Sequence, residues 1–214
     1  MQPRKLLAIC RERGIDRLAI TDHNNIRGAL EAIAIDRQRV IMGEEIMTSG
    51  GELLAYFVQE QVPPGLSPEA TIALLRAQDA VISVAHPFDA LRRGAWDLAQ
   101  LMEIAPLVDA METFNSRNFA CRANRRAALF ASQAGLLATA GSDAHAYLEV
   151  GRARMQLPDF ESAQSFRLAL ADAKILARPS LPLVHLFSRY ASLRKALGWK
   201  SSEDSHLTHE GRPS

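Results

Sequence analysis

Apolar positions along this chain keep changing their period. From Arg4 to Arg13, Leu6, Leu7, Ile9 and Cys10 fall on one helical face, and Gly14 provides the stop. Arg17 to Thr21 then reads as a short apolar strand and Ile26 to Ile35 as a helix. Val40 to Gly43 and Glu52 to Val58 read as further strands, parted by a turn at Ser49-Gly50-Gly51. Ser67-Pro68-Glu69 is a strong helix start, with a serine cap and proline in the first turn, and that helix runs to about Gln78. Ala80 to Ala85 is a buried strand, Trp96 to Ile104 a helix halted by Pro106, and Val108 to Phe114 a strand. Ala123 to Ala134 is a helix closed by Gly135, and Leu136 to Ala140 a strand. A strand near Arg152 to Leu157 and a helix from Ser162 to Lys174 follow. Leu183 to Leu197 reads as a terminal helix, and Ser201 to Ser214 as a polar, disordered tail.

Strands alternating with helices imply a mostly parallel sheet with helices outside it. Six or seven such units fit a (β/α) barrel better than a five-stranded doubly wound sheet, which is the competing architecture. No repeat or linker interrupts the pattern, so residues 1–200 read as one domain. The 214 residues are 48% hydrophobic and 23% charged, with a formal net charge of +1. That composition supports a real core and gives no electrostatic footprint for nucleic acid. No apolar run reaches the roughly 18 residues of a membrane span. The two cysteines, Cys10 and Cys121, lie in helical segments, which points to a reducing, cytoplasmic setting.

In barrels and open α/β sheets the chemistry sits just past the C-terminal ends of strands. Those ends carry Thr21-Asp22-His23, Gly43-Glu44-Glu45, Ala85-His86-Pro87, Asn115 and Gly141-Ser142-Asp143-Ala144-His145. Three of the six histidines fall there, together with several carboxylates. Imidazole and carboxylate donors converging from separate strands are what a divalent metal cluster needs. Two ions about 4 Å apart can clamp a phosphoryl group and make a bound hydroxide nucleophilic. Glu44 and Glu45 adjoin, so one is expected at the centre and the other in solvent. Arg92, Arg93 and Arg117 are candidates to hold an anionic substrate, because guanidinium matches phosphate bidentately. The chain has no phosphate-binding G-x-x-x-x-G-K-[ST] loop, no G-x-G-x-x-G and no G-x-S-x-G. His206-x-x-His209 has helical ligand spacing but lies in the polar tail and reads as inert.

Taken in order, Thr21-Asp22-His23-Asn24, Gly43-Glu44-Glu45, Ala85-His86-Pro87-Phe88 and Gly141-Ser142-Asp143-Ala144-His145 resemble the PHP (polymerase and histidinol phosphatase) family of metal-dependent phosphoesterases. The resemblance runs from about Leu6 to Phe160. It implies a distorted (β/α)7 TIM-like barrel with two or three manganese, zinc or iron ions. It also implies hydrolysis of a phosphomonoester or phosphodiester by attack of a metal-bound hydroxide. Carried over by motif, His23, Glu45, His86, Asp143 and His145 resemble the family's metal ligands, and Asp22 a group that orients one of them. Asn115 falls where relatives often place another ligand or a substrate contact. Asp143, Arg92 and Arg93 are the residues expected to act on the substrate.

Two departures from the family pattern stand out. Relatives begin with a strand carrying His-x-His and a loop bearing an Asp, and this sequence starts with the helix that follows them. The barrel is therefore expected to be incomplete at its N-terminus, open to edge pairing with another chain, and weak or inactive as an isolated polypeptide. Where many relatives have a histidine, this chain has Glu52, ahead of Leu53-Leu54-Ala55-Tyr56, and a carboxylate there can still bind metal. The expected partner is a small phosphorylated substrate, with nucleotides and oligonucleotides among the candidates, no membrane, and room for an oligomer. A catalytically impaired PHP-like module with a scaffold role is the competing reading. Amide hydrolysis is a further one, and the absence of a lysine at a predicted strand end speaks against it.

Overall fold

The computed structural model describes residues 1–90, 92, 94–118 and 121–179. Arg93, the terminal helix expected at Leu183 to Leu197, the tail and the His206/His209 pair lie outside the described residues. The first helix, α1 (Pro3–Glu12), buries Leu6, Leu7 and Cys10, and it ends where Gly14 takes φ +62°, a value glycine adopts without strain. Next come β1 (Leu18–Ile20), α2 (Arg27–Ile33), β2 (Val40–Met47) and β3 (Glu52–Tyr56). Then follow α3 (Pro68–Ala77), β4 (Val81–Val84), α4 (Leu98–Ile104) and β5 (Ala110–Asn115). The described chain finishes with α5 (Cys121–Ala134), β6 (Leu137–Gly141), β7 (Ala153–Gln156), α6 (Ala163–Leu170) and β8 (Lys174–Ala177). As expected, Ser67 caps α3, its side chain accepting a hydrogen bond from the Ala70 amide.

Six strands form one sheet in the order β1-β2-β3-β4-β5-β6, and β7 pairs only with β8. As expected, the six-stranded sheet is mostly parallel, with β3 alone running against the other five strands. β2, β3 and β4 pair antiparallel, while β1–β2, β4–β5 and β5–β6 are parallel. The turn at Thr48–Gly51, stapled by the Thr48 hydroxyl accepting from the Gly50 and Gly51 amides, folds β3 back on β2. No crossover helix is needed for so short a connection. β2 also runs through Glu44 and Glu45 to Met47 instead of stopping at Gly43. The segment read as one helix from Ser162 to Lys174 ends at Leu170, and Lys174–Ala177 is a strand that completes the β7–β8 pair.

The side-chain alternation of the strands divides two cores. Ile46, Leu53 and Ala55 face a cluster built with Ile72, Leu75, Leu101, Ile104 and Ala127 of α3, α4 and α5. Ile41, Leu54 and Tyr56 face the other way and pack with Phe160, Phe166 and Leu170. The same alternation separates the adjacent glutamates. Glu45 shares the face of its β3 partner Leu54, whereas Glu44 shares that of Ile46. Glu44 is fully buried rather than solvated, its carboxylate accepting a hydrogen bond from the Val62 amide at 3.0 Å. Burial pushes its pKa up.

β1 and β6 are the edges of the six-stranded sheet. The Leu18 amide donates to the Arg39 carbonyl beside β2, so the Ala19 amide points away from the sheet. A cavity of about 1210 Å³ opens between these edges, lined by Leu18, Ile20, Ala140 and Met155 along its walls and by His23, Glu45, Asp143 and His145 near one end.

Candidate functional site

Every sequence-predicted site residue within the described part of the chain comes to one end of the sheet. β1, β2, β4, β5 and β6 present their C-terminal ends there. β3 runs the opposite way, so its first residue, Glu52, arrives at that same end. The sheet pairing continues past β1 as a bridge between His23 and Glu45. His86 and Asp143 both take left-handed backbone angles, φ +23° and +48°. Such conformations cost energy in a non-glycine residue and concentrate at functional sites.

One group consists of two histidines held between two carboxylates. His23 Nδ1 lies 3.3 Å from Glu45 Oε2 and 3.5 Å from Glu52 Oε1. His86 Nε2 lies 3.1 Å from Glu45 Oε1 and 3.0 Å from Glu52 Oε2. Glu45, Glu52 and His86 are 6%, 4% and 1% exposed, so their charges face one another rather than water. The Glu52 carboxylate, by accepting a hydrogen bond, raises the His23 pKa to about 9. Burial alone would lower His86, but hydrogen bonds to Glu45 and Glu52 lift it to about 10. Burial would likewise raise Glu52, and the two histidines instead hold it down at about 2.

The second group centres on Asp143. Its Oδ1 lies 3.4 Å from His145 Nδ1, and its Oδ2 accepts from Asn115 Nδ2 at 3.3 Å and from the Arg92 guanidinium. Burial works against its charge, yet Arg92 and the other cations around it keep the Asp143 pKa low. Arg92 Nε also donates to Asp89 Oδ2 at 3.2 Å. Asn115 further donates to Glu112 Oε2 at 3.1 Å, and that oxygen takes the His86 amide at 2.9 Å. The rings of His23 and His145 stand 6.3 Å apart between centroids and join the two groups.

Two buried carboxylates beside these groups are not among the candidates of the sequence. Glu112 lies within β5, and burial pushes its carboxyl up to about 7. A charged residue inside an otherwise buried strand was the signal available for it. Glu149 is fully buried, and its Oε2 accepts from the amides of His145 and Ala146, both at 2.9 Å. Its Oε1 lies 3.9 Å from Arg117 Nε, which ties the loop after β6 to the loop after β5. Nothing in the spacing of Leu148-Glu149-Val150 announces this.

The donor set of the first group fits a divalent cation. Ligand atoms of His23, Glu45 and Glu52 lie within 4.8 Å of one another. His86 keeps a buried Nδ1 that has no hydrogen-bond partner. Mixed imidazole and carboxylate donors suit zinc, manganese and iron.

Residues 122–175 match the PHP-associated family model. An uncharacterised protein of Methanocaldococcus jannaschii is 35% identical over 118 residues, which cover 54% of this chain and 67% of that protein. Among solved structures, a two-domain Bacteroides vulgatus protein containing a predicted PHP-like metal-dependent phosphoesterase superposes with TM-score 0.66 at 15% identity. The match spans 83% of this chain and 60% of that one. An amidohydrolase from Chromobacterium violaceum, solved with sulfate and no metal, superposes with TM-score 0.57 at 15% identity over 83% of this chain and 93% of its own. The chain belongs to the PHP family. Among the described residues no helix is long and apolar enough to cross a membrane.

Proposed function

We propose that this protein is a metal-dependent phosphoesterase acting on a small phosphomonoester or phosphodiester, nucleotides and oligonucleotides included. The observation that carries this reading is the pair of histidines, His23 and His86, clamped between the nearly buried carboxylates of Glu45 and Glu52. In this reading those four residues hold one ion, and Asp143 and His145, with Asn115 alongside, hold a second. Manganese, zinc and iron all suit these donors, and a cation there supplies Lewis acidity toward a phosphoryl oxygen. Asp143 and Arg92 form the pair that faces the reacting phosphate. Arg117, anchored beside Glu149, offers a second guanidinium, and Arg93 is the remaining candidate of the sequence reading.

The opening between β1 and β6 bears on how strongly the chain turns over. We infer that a further strand seated along that opening completes a distorted (β/α)7 barrel, and that residues 1–214 alone hydrolyse slowly. In this reading residues 1–200 form one PHP-like domain, and the competing role is that of a scaffold with an impaired site. Amide hydrolysis, the activity named for one structural neighbour, has less support, since no lysine stands among the site residues described above.

The test is hydrolysis of p-nitrophenyl phosphate and its diester by the chelator-stripped chain, before and after loading with manganese, zinc or iron. Activity that chelation abolishes and a metal restores is the expected result. Metal bound without turnover of any phosphate ester would favour the scaffold, and cleavage of amides alone would favour the amidohydrolase reading.

A further inference from the structure

The two groups of the site neutralise their carboxylates by different means. Around Glu45 and Glu52 the neighbouring groups are the imidazoles of His23 and His86, side chains of a type that can themselves serve as metal ligands. On Asp143 the partner is Arg92, whose guanidinium stays charged at any accessible pH. Arg92 therefore cannot make way for another cation by deprotonating. It has to move.

The contacts around Arg92 show what that motion would break. Arg92 follows His86-Pro87, and Gly94 lies so close to Glu52 that an added Cβ would sit 2.7 Å from its Cγ. The Arg92 side chain is 21% exposed, and it spans from Asp89 to Asp143. Asp143 in turn offers its Oδ1 to His145 and its Oδ2 to Arg92 and Asn115. A cation bound by Asp143 and His145 would share that carboxylate with a fixed positive charge.

Building on the phosphoesterase reading, we propose that Arg92 is a phosphate anchor that a cation at Asp143 and His145 releases. Without the cation, its guanidinium occupies Asp143 Oδ2 and weakens metal binding there. With the cation bound, like-charge repulsion turns the guanidinium from Asp143 toward the phosphate oxygens. Metal and phosphate then bind with positive linkage, each raising the affinity for the other by the same factor.

One substitution should move two binding constants in opposite directions. Manganese(II) is titrated into the full 214-residue chain, with the free ion followed by electron paramagnetic resonance, for the wild type, Arg92→Gln and Arg92→Lys. Inorganic phosphate is then titrated calorimetrically into each manganese-loaded protein, and melting temperatures are recorded alongside. In Arg92→Gln the weaker class of manganese site is expected to tighten about tenfold while phosphate binding weakens about tenfold. The tighter class, held by Glu45 and Glu52, should not change. Arg92→Lys, charged but unable to pair bidentately, should fall between. A variant that merely loosened the fold would weaken both constants together. Unchanged or weaker manganese binding in Arg92→Gln, or unchanged phosphate binding, overturns the proposal while leaving the metal site intact. Absence of manganese binding in all three proteins overturns the metal reading itself, and this inference with it.

Discussion

Glu45, Glu52, His23 and His86 on one side, and Asp143, His145, Asn115 and Arg92 on the other, gather similar donors at the same end of one sheet. The first group is built on paired strands. Glu45 and Glu52 belong to β2 and β3, whose register is set by ladder hydrogen bonds and by Ile46 and Leu53 packed beneath them. The second group stands on loops after β5 and β6, and it depends on buried props such as Glu112 and Glu149 for its shape. Strand-borne donors inherit the precision of the sheet, whereas loop-borne donors must have it supplied by further side chains. The contrast extends to charge, since only the second group sets a guanidinium, that of Arg92, against its carboxylate.

The largest expected effect separates the two groups by metal affinity. Glu52→Ala should weaken manganese binding at the proposed first site by about a hundredfold or more, since it removes one of the two buried carboxylates there. His145→Ala, at the second group, should cost only about tenfold in the same titration. Equal losses, or the reverse order, would break the proposed ranking. Next comes support from below. Leu53→Ala removes a fully buried side chain under β3 and should destabilise the fold by about 2–5 kcal/mol in urea denaturation. A cost well under that would mean the core does not brace the first group. Gly141→Ala tests the second group, because a Cβ there would meet Glu112 Oε1 at 2.4 Å. A loss of about 1–3 kcal/mol is expected, together with weaker phosphate binding as Glu112 is displaced toward Asn115. The smallest effect belongs to Glu112→Gln. One Glu112 oxygen accepts both the His86 amide and the Asn115 side chain, and a glutamine carbonyl can take its place. Stability should change by less than about 1 kcal/mol, and a larger loss would show that the ionised form is required.

Much of this arrangement was legible before any coordinates. Ser67-Pro68 announced α3, Gly135 closed α5, and the structure brings His23 beside His145 and, through Glu45 and Glu52, beside His86. Glu52 was recognised as a metal candidate, although its convergence depends on β3 running backwards, which the alternation of strands and helices did not suggest. The long β2 was cut short because two adjacent charges read as a strand end. In the fold one of them faces the site and the other lies buried against an amide. The helix predicted over Ser162 to Lys174 overruns Leu170, and the strand Lys174–Ala177 goes unpredicted, because four residues carry too little period to reveal a change of structure. Glu149 was invisible for a different reason. Its partners are backbone amides and an arginine more than thirty positions away, and no local pattern encodes such contacts.

The reversal of β3 also sets an order of assembly. Glu45 and Glu52 are neighbours across a hairpin joined by a short turn, and hairpins of this kind close within about 1–10 μs. His23 precedes them and His86 follows at the end of the next strand, so every member of the first group lies in the first half of the chain. Asp143 and His145 come much later. During synthesis, when the chain emerges from its N-terminus onward, a cation can meet the first four donors before the last two exist. On the proposed two-ion reading, metal capture and folding of the early strands are open to coupling on the ribosome, while the second group forms only after β6 has been laid against β5.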